Sequence, residues 1–295
     1  MGMSPSAMPS IVQDAILTWY DQWGRAFPFR GVRDPYAILV SEVMAQQTQI
    51  GRVAQKWSAF LATFPTVASL AAAPTADVLR SWRGLGYNRR ALNLHRAARL
   101  MVDAHGGRVP GDLSALESLP GIGRYTARAV AALAFGQAVG PVDTNVRRVL
   151  ERLQAGDRRS THRELQATAD AAVPADRPAD WTHALMDLGA TICRPAVPLC
   201  EACPVRTWCR YVGSVSSPGS ERQVARGPAF RSTRRWLRGR IIDSLRDVPR
   251  NRWAAIVGPI GAHDDVAIRE ALAAMQDEGL IERHRMDPRR ARLAS

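Results

Sequence analysis

The sequence contains almost no lysine, few aromatic residues and no long hydrophobic run. Lys56 is the single lysine among 40 basic residues, so chemistry that requires a lysine Schiff base has one candidate in the chain. The longest apolar runs, such as 129–135, are far shorter than the roughly 20 residues that span a bilayer. Residues 1–10 lack the basic and then apolar pattern of a secretory signal. We therefore expect a cytoplasmic protein without a membrane segment.

Positive charge dominates the composition. The 40 Lys and Arg residues outnumber the 27 Asp and Glu residues, which gives a formal net charge of +13. The excess is present both before and after residue 220. A hydrophobic content of 46% is typical of a folded globular chain rather than a disordered one. A basic folded protein of this kind favours a polyanionic partner such as nucleic acid.

Helical periodicity runs through residues 11–210, where apolar residues recur three and four positions apart and no strand-like alternation is found. A segment rich in Gly, Ser and Pro at 213–219 predicts a linker. After it, helical patterns at 233–248 and 265–278 precede a two-stranded pattern around 281–293. We therefore predict an all-α protein that carries a small C-terminal module of winged-helix type.

All four cysteines lie within seventeen residues, at Cys193, Cys200, Cys203 and Cys209. Disulfides are not expected in a chain without an export signal. Four thiolates form the complete ligand set of either an all-cysteine zinc site or a 4Fe-4S cluster. The spacing therefore predicts a metal centre of one of these two kinds.

A glycine-containing turn, Leu119–Gly123, separates helical patterns at 113–118 and 125–134. Main-chain amides at the start of a helix form an anion site, so Gly121, Ile122 and Gly123 are predicted to hold a DNA phosphate without reading sequence. The segment Pro141–Asn145 follows at a short distance.

Seven motifs occur in order along the chain: Phe27–Arg30, Ser41–Thr48, Gly84–Tyr87, Leu119–Gly123, Val142–Asn145, Met186–Ala190 and the cysteine loop. Together they resemble the helix-hairpin-helix DNA glycosylase superfamily, which includes endonuclease III, and within it the MutY-type adenine-mismatch glycosylases. The resemblance covers about residues 11–212.

The resemblance implies a six-helix module at 31–137, which contains the hairpin, and a cluster module made of 1–30 and 138–212. The substrate cleft is expected between them. It also implies that the cysteines hold a 4Fe-4S cluster. The MutY-type family often carries a Nudix-like domain that inspects 8-oxoguanine, but residues 213–295 are too short and differently patterned for it.

Base removal requires an acid near the base and a carboxylate near the sugar C1′. Glu42 lies among apolar neighbours, where desolvation favours its protonated form, and by resemblance it protonates the departing purine. By resemblance Asp143 stabilises the sugar cation and Asn145 orients the site. Related strand-cleaving enzymes have a lysine where this chain has Tyr125, so the resemblance implies a glycosylase without an efficient lyase step.

An extruded base leaves a gap in the duplex, and by resemblance Gln47 and Tyr87 fill it. Contacts to the opposite strand are expected from Gln46, Thr48 and Leu85. The positions of the base pocket are Phe27, Phe29, Arg30, Ala45 and His183. Several differ from the family pattern, which has Leu-Pro-Trp-Arg at 27–30, leucine at 45, tyrosine at 88, and Gln or Glu at 183. A pocket of altered shape is expected.

Two base-excision functions follow. One removes adenine opposite guanine or 8-oxoguanine. The other removes thymine or uracil opposite guanine, and the retained Ser41–Met44 and Gln46–Thr48 segments favour adenine. A non-enzymatic DNA-binding damage sensor is a third interpretation. The expected partner is double-stranded DNA with a mismatched or damaged base pair, bound by a monomer at the bacterial nucleoid.

Overall fold

The computed structural model describes residues 8–156, 158–212 and 229–295, so the predicted linker at 213–219 lies outside the described residues. The fold is almost entirely helical up to residue 212, and the described residues there contain no strand. These helices are α1 Ser10–Trp23, α2 Pro35–Ala45, α3 Ile50–Thr63, α4 Val67–Ala72, α5 Thr75–Ser81, α6 Arg89–His105, α7 Leu113–Ser118, α8 Arg124–Phe135, α9 Thr144–Ala155, α10 His162–Ala171 and α11 Pro178–Thr191.

The C-terminal segment has the order of elements that the sequence predicts. Helices α12 Arg234–Arg246 and α13 Asp265–Asp277 precede β2 Ile281–Arg283 and β3 Arg290–Leu293, which pair antiparallel. A short strand, β1 Ala254–Ala255, adds to the other side of β3 and gives the sheet order β1-β3-β2. The predicted all-α class is confirmed, and the C-terminal elements follow in the predicted order of two helices and two paired strands.

Local sequence explains where the helices begin and end. Asp34 accepts a hydrogen bond at 3.0 Å from the main-chain N–H of Ala37, and Pro35 then opens α2. Gly106 ends α6 in the left-handed conformation, at φ +59°. Asp143 caps α9, which places a carboxylate at the start of that helix.

The chain divides into two compact units. The first contains the described residues of 1–42, 111–118 and 122–223. Its core is formed by apolar faces of α1, α9, α10 and α11 around the fully buried Trp181 and Ile16. Cys193, Cys203 and Cys209 pack against this core.

The second unit contains the described residues of 43–110, 119–121 and 224–295. Phe60 and Trp82 meet edge to face in its core, with ring centroids 5.7 Å apart. The C-terminal elements therefore belong to the same compact unit as α3–α6. The module limits proposed from the sequence, 31–137 and 213–295, stay a prediction.

Buried polar contacts attach the C-terminal elements to α5 and α6. Arg246 of α12 is 5% exposed, and its guanidinium donates to the carbonyl of Leu79 and to Oδ1 of Asn88. Arg80 donates in return to the carbonyls of Arg246 and Val248. Within the described ranges, no helix is both long enough and apolar enough to cross a membrane.

Candidate active site

Glu42 lies on α2 with one carboxylate oxygen enclosed. Oε2 is buried and has no hydrogen-bond partner. Burial raises the pKa of Glu42 to about 7, and the negative charge of Asp143 raises it further, against a hydrogen bond from Tyr125 that lowers it. A carboxylate oxygen that is buried without a partner is costly, and a raised pKa in such a position makes Glu42 a candidate functional residue.

Tyr125 stands in the first turn of α8, two residues after the cap residue Gly123. Burial and the nearby carboxylates of Glu42 and Asp143 raise the pKa of its phenol well above the ordinary value. The phenol therefore stays protonated and donates to Glu42. The three side chains Glu42, Tyr125 and Asp143 share one electrostatic environment in the first unit.

Asp143 is fixed by hydrogen bonds to both of its oxygens. Oδ1 accepts from the main-chain N–H of Val146 at 2.7 Å, and Oδ2 accepts from Nδ2 of Asn145 at 3.1 Å. These two hydrogen bonds hold the carboxylate at the start of α9. The structure thus places an enclosed acid close to a fixed carboxylate.

A guanidinium connects the Asp143 cap to the cysteine loop. Arg148 donates to Oδ1 of Asn145 at 2.8 Å, to the carbonyl of Gly189 at 2.6 Å and to the carbonyl of Cys193 at 2.6 Å. Gly189 lies so close that a Cβ there would stand 2.6 Å from Cβ of Asn145. Asn145 is therefore held from two sides, and a larger residue at 189 would displace it.

The predicted base-pocket residues of the first unit are organised by Asp187. Its fully buried carboxylate receives bidentate bonds from Arg30 at 2.6 and 2.7 Å and further bonds from the N–H and Nε of Arg25. This pairing fixes the loop in which Phe27 stacks on Phe29 at 5.4 Å between ring centroids. His183 lies one helical turn from Asp187, and burial and the Arg30 charge lower its pKa to about 4, so it is neutral.

The hairpin adopts the conformation that its glycines permit. Gly121 has φ +79°, and a Cβ there would approach Asn93 to 2.7 Å. Gly123 caps α8 and is exposed, whereas the side chain of Ile122 is buried. Gly121 and Gly123 thus leave main-chain amides accessible ahead of a twelve-residue helix.

In the second unit, the segments 46–48 and 84–88 form two loops that we call the wedge loops. Gln47 and Tyr87, the predicted gap-filling residues, have positive φ angles of 53° and 45°. Such conformations are uncommon for residues other than glycine and are typical of functional sites. Leu85 is 2% exposed and its carbonyl accepts from Thr48 at 3.3 Å, so its predicted contact with DNA stays a prediction.

Arg90 holds the two wedge loops together. One of its amino groups donates to the carbonyls of Val43, Met44 and Gln46, at the C-terminal end of α2. The other donates to Oγ1 of Thr48 and to the carbonyls of Leu85 and Gly86. Its burial lowers its pKa to about 10, which still leaves it charged at neutral pH.

The four cysteines form no disulfide and are half-buried, and the other three lie close enough to Cys203 to affect the pKa of its thiol. Burial first, then the neighbouring Cys193, Cys209 and Cys200, raise the pKa of Cys203 to about 11. Two short 3-10 turns, Cys200–Ala202 and Arg206–Trp208, shape the loop that carries them. In their present positions, the described His, Cys, Asp and Glu side chains form no group of three or more that could hold a metal ion.

Comparison with known proteins identifies the family. Residues 40–175 match the model of the HhH-GPD superfamily base excision DNA repair proteins. The adenine DNA glycosylase of Mycolicibacterium smegmatis is 40% identical over 278 residues, which are 92% of this chain and 93% of that protein. The chain belongs to the MutY-type helix-hairpin-helix DNA glycosylases. It is a base-excision repair glycosylase.

Solved structures place this glycosylase in the endonuclease III fold. A thermostable thymine-DNA glycosylase is 34% identical with a TM-score of 0.65, over 69% of this chain and 95% of that chain. A non-covalent endonuclease III–DNA complex is 25% identical with a TM-score of 0.60, over 69% of this chain and 94% of that chain. The resemblance inferred from the seven motifs is confirmed.

The motifs contain the candidate site residues that lie together in the first unit. They do not contain the arginines whose hydrogen bonds fix the positions of the site residues and the wedge loops. Ala45 ends α2 in the second unit and is half-buried, and its role in the base pocket stays a prediction. The functions of Arg90 and Arg148 were not foreseen. A signal existed for Arg90, because an arginine in the first turn of a helix opposes the helix dipole and requires another reason to be there.

The pKa of Glu42 predicts how stability depends on pH. In the folded glycosylase the carboxyl binds a proton up to about pH 7, so its contribution to stability is complete below pH 4.5 and is lost as the pH rises through 7. Glu42→Gln keeps the shape without the ionisation. Its unfolding free energy relative to wild type should increase by up to about 3 kcal/mol between pH 4 and pH 8.

Urea denaturation followed by tryptophan fluorescence at several pH values measures this difference. Glu117→Gln, at an exposed position of α7, controls for the loss of one carboxylate. A Glu42→Gln difference that does not change with pH would show that the carboxyl is solvated.

Proposed function

We propose that the glycosylase hydrolyses the N-glycosidic bond of a mismatched adenine, extruded from a duplex in which it faces guanine or 8-oxoguanine. The observation that carries the proposal is the enclosed and unpartnered Oε2 of Glu42, on a carboxyl with a pKa of about 7, beside the fixed carboxylate of Asp143. An acid and an anion in one dry site are what the reaction requires.

Glu42 is the acid of this mechanism. With a pKa of about 7, it carries a proton in a large fraction of molecules at neutral pH. That proton goes to a ring nitrogen of adenine, which makes the base a neutral leaving group. The Tyr125 hydroxyl, kept protonated by its raised pKa, holds the carboxyl in place and stabilises the carboxylate that remains.

Asp143 supports the sugar as the base leaves. Positive charge develops at C1′ and O4′, and a carboxylate that already accepts from Val146 and Asn145 needs no reorganisation to stabilise it. Water then adds to C1′ and gives its proton to the Glu42 carboxylate, which leaves an abasic site and free adenine and restores the acid. Arg148 acts through Asn145 as a positioning residue.

Thymine or uracil opposite guanine is the alternative substrate. Two observations favour adenine. The adenine DNA glycosylase match extends over 92% of the chain, whereas the thymine-DNA glycosylase structure covers 69%. Adenine also offers a basic ring nitrogen to a protonated carboxyl, which thymine lacks. The neutral His183 near Arg30 provides one donor and one acceptor for an adenine edge.

Incubation with duplexes containing A:G, A:8-oxoguanine, T:G and U:G, followed by alkaline cleavage of abasic sites, tests this function. We expect release of adenine. Asp143→Asn should reduce the single-turnover rate by at least about 10²-fold, because it removes the anion, and should leave mismatch binding intact.

Asparagine caps a helix as well as aspartate does, so the fold is preserved in this variant. Asp264→Asn, the same change at the cap of α13, is the matched control and should retain activity. Release of thymine or uracil instead would establish the alternative. Release from no duplex, with binding retained, would establish a non-catalytic sensor.

We further infer that the glycosylase has no efficient lyase step. The position that bears lysine in strand-cleaving relatives is Tyr125, and the single lysine, Lys56, lies on α3 in the other unit. A phenol with a raised pKa is a poor nucleophile toward C1′.

Borohydride trapping on an abasic duplex tests this inference. Wild type should give no covalent adduct, and Tyr125→Lys should gain one, since burial lowers the pKa of an amine placed there and leaves it nucleophilic. The variant Lys56→Arg is the control and should behave as wild type. Trapping by wild type that Lys56→Arg abolishes would contradict the inference.

We infer that Cys193, Cys200, Cys203 and Cys209 hold a 4Fe-4S cluster. Four unpaired thiols, mutually close enough to affect the pKa of Cys203, on one loop fixed by 3-10 turns, suit this group. When bound, the cluster would tie the loop together without taking part in base removal. Nη1 of Arg152 donates to Sγ of Cys193 at 3.4 Å and so helps to position this residue of the loop.

Iron and sulfide analysis of anaerobically purified protein tests the cluster. We expect about four irons per chain, from the composition of the cluster, and a broad visible absorption. Cys203→Ala should abolish both, and Arg206→Ala, in the same loop, should preserve both. Stoichiometric zinc without sulfide would contradict the proposal.

The partner is double-stranded DNA, which the family and the net charge of +13 both support. We propose that the accessible amides at Gly121 and Gly123 hold a phosphate, and that the protein works as a monomer in the cytoplasm on chromosomal DNA.

A further inference from the structure

The ring of Tyr87 is held by a side chain from the C-terminal helix α12. The guanidinium of Arg235 lies over this ring, 4.1 Å from the centroid, and donates a hydrogen bond to the Tyr87 hydroxyl. The same guanidinium lies 4.9 Å from the centroid of Phe230. Arg235 is thus placed between two aromatic rings, one of which belongs to a wedge loop.

A second residue of α12 holds the neighbouring position of the same loop. Arg246 donates at 2.8 Å to Oδ1 of Asn88. Residues 235 and 246 are three helical turns apart on one face of α12, separated by about 16 Å along its axis. One helix face therefore reaches Tyr87 at one end and Asn88 at the other.

The position of Arg235 is fixed by the packing of α12. The buried Arg246 also donates to the carbonyl of Leu79, and Arg80 donates to the carbonyls of Arg246 and Val248. Leu237, Ile241 and other apolar residues of α12 are completely buried. Arg235 itself is exposed, so it can be replaced without opening the core.

Tyr87 needs such support. Its φ of 45° is unfavourable for a tyrosine, and the guanidinium of Arg90, which also lies over the ring, is more distant at 5.4 Å. A groove of about 970 Å³ opens between the wedge loops and α12, lined in part by Gln47, Tyr87, Arg235 and Gly239. An added Cβ at Gly239 would meet nothing within 4 Å, so the groove is open at that point of α12.

We infer that Arg235 is a positioning residue for base extrusion: it holds Tyr87 in the orientation in which the ring enters the gap left by the departing base. Extrusion of the base, rather than cleavage of the glycosidic bond, would thereby depend on the C-terminal module. The inference rests on the proposed function, since it assumes that the substrate base leaves the duplex and that Tyr87 takes its place.

The experiment measures extrusion separately from cleavage. A 2-aminopurine next to the mismatched adenine reports unstacking by fluorescence, and all proteins carry Asp143→Asn so that the base is not removed. We expect Arg235→Ala to reduce the extruded population about tenfold, from the loss of one cation–π contact and one hydrogen bond. Arg235→Lys, which keeps the charge but not the planar stack, should recover part of the signal.

The matched control is Arg234→Ala. Arg234 is adjacent on α12, is 83% exposed and pairs with Glu270, so the change removes the same charge without touching Tyr87. It should leave extrusion unchanged. Affinity for a fully paired duplex, which has no mismatched base to extrude, should be the same for both variants within about twofold.

A double-mutant cycle decides whether Arg235 acts through Tyr87. In a Tyr87→Ala background, Arg235→Ala should cause less than a twofold further loss. Additive losses would overturn the inference, as would an Arg235→Ala effect equal to that of Arg234→Ala, or a protein that produces no extrusion at all. Extrusion without base release by the protein with Asp143 intact would contradict the proposed function and leave this inference supported.

Discussion

Burial and a neighbouring carboxylate both oppose the ionisation of Glu42, and the first unit is built around that constraint. Asp143 accepts hydrogen bonds from the amide of Val146 at the start of α9 and from Asn145. Glu42 is enclosed, and its charge is opposed both by burial and by Asp143. Glu42 therefore retains a proton up to about pH 7, beside a carboxylate whose two oxygens are already hydrogen-bonded.

The arginines of this chain do more than attract DNA. Arg90, Arg148 and Arg246 each place a guanidinium on main-chain carbonyls, two of them at the ends of α2 and α11. A guanidinium has five donors in a planar fork, so one side chain satisfies several carbonyls that a helix end leaves free. Part of the net charge of +13 thus belongs to side chains that are already engaged within the protein.

The ends of several helices could be predicted from the sequence, because capping residues such as Asp34 and Gly106 bond to backbone groups only a few residues away. Glu42 and Asp143 could likewise be picked out as candidate site residues, since each lies in a motif. Their supports were not. Arg148 contacts residues 41 and 45 positions away, and Arg235 lies 148 residues from Tyr87. Such pairs leave no local periodicity, so only the fold brings them together.

One difference from the family pattern, at position 88, has an explanation in the structure. Where MutY-type enzymes have a second tyrosine, this chain has Asn88, and its amide oxygen is the acceptor for Arg246. A tyrosine ring at position 88 would offer no such acceptor at that distance from the main chain. Asn88 and α12 therefore depend on each other. The C-terminal module, which lacks a Nudix-like pattern, thus contacts the wedge loop that contains Asn88. The wedge loops and this module belong to one structural unit.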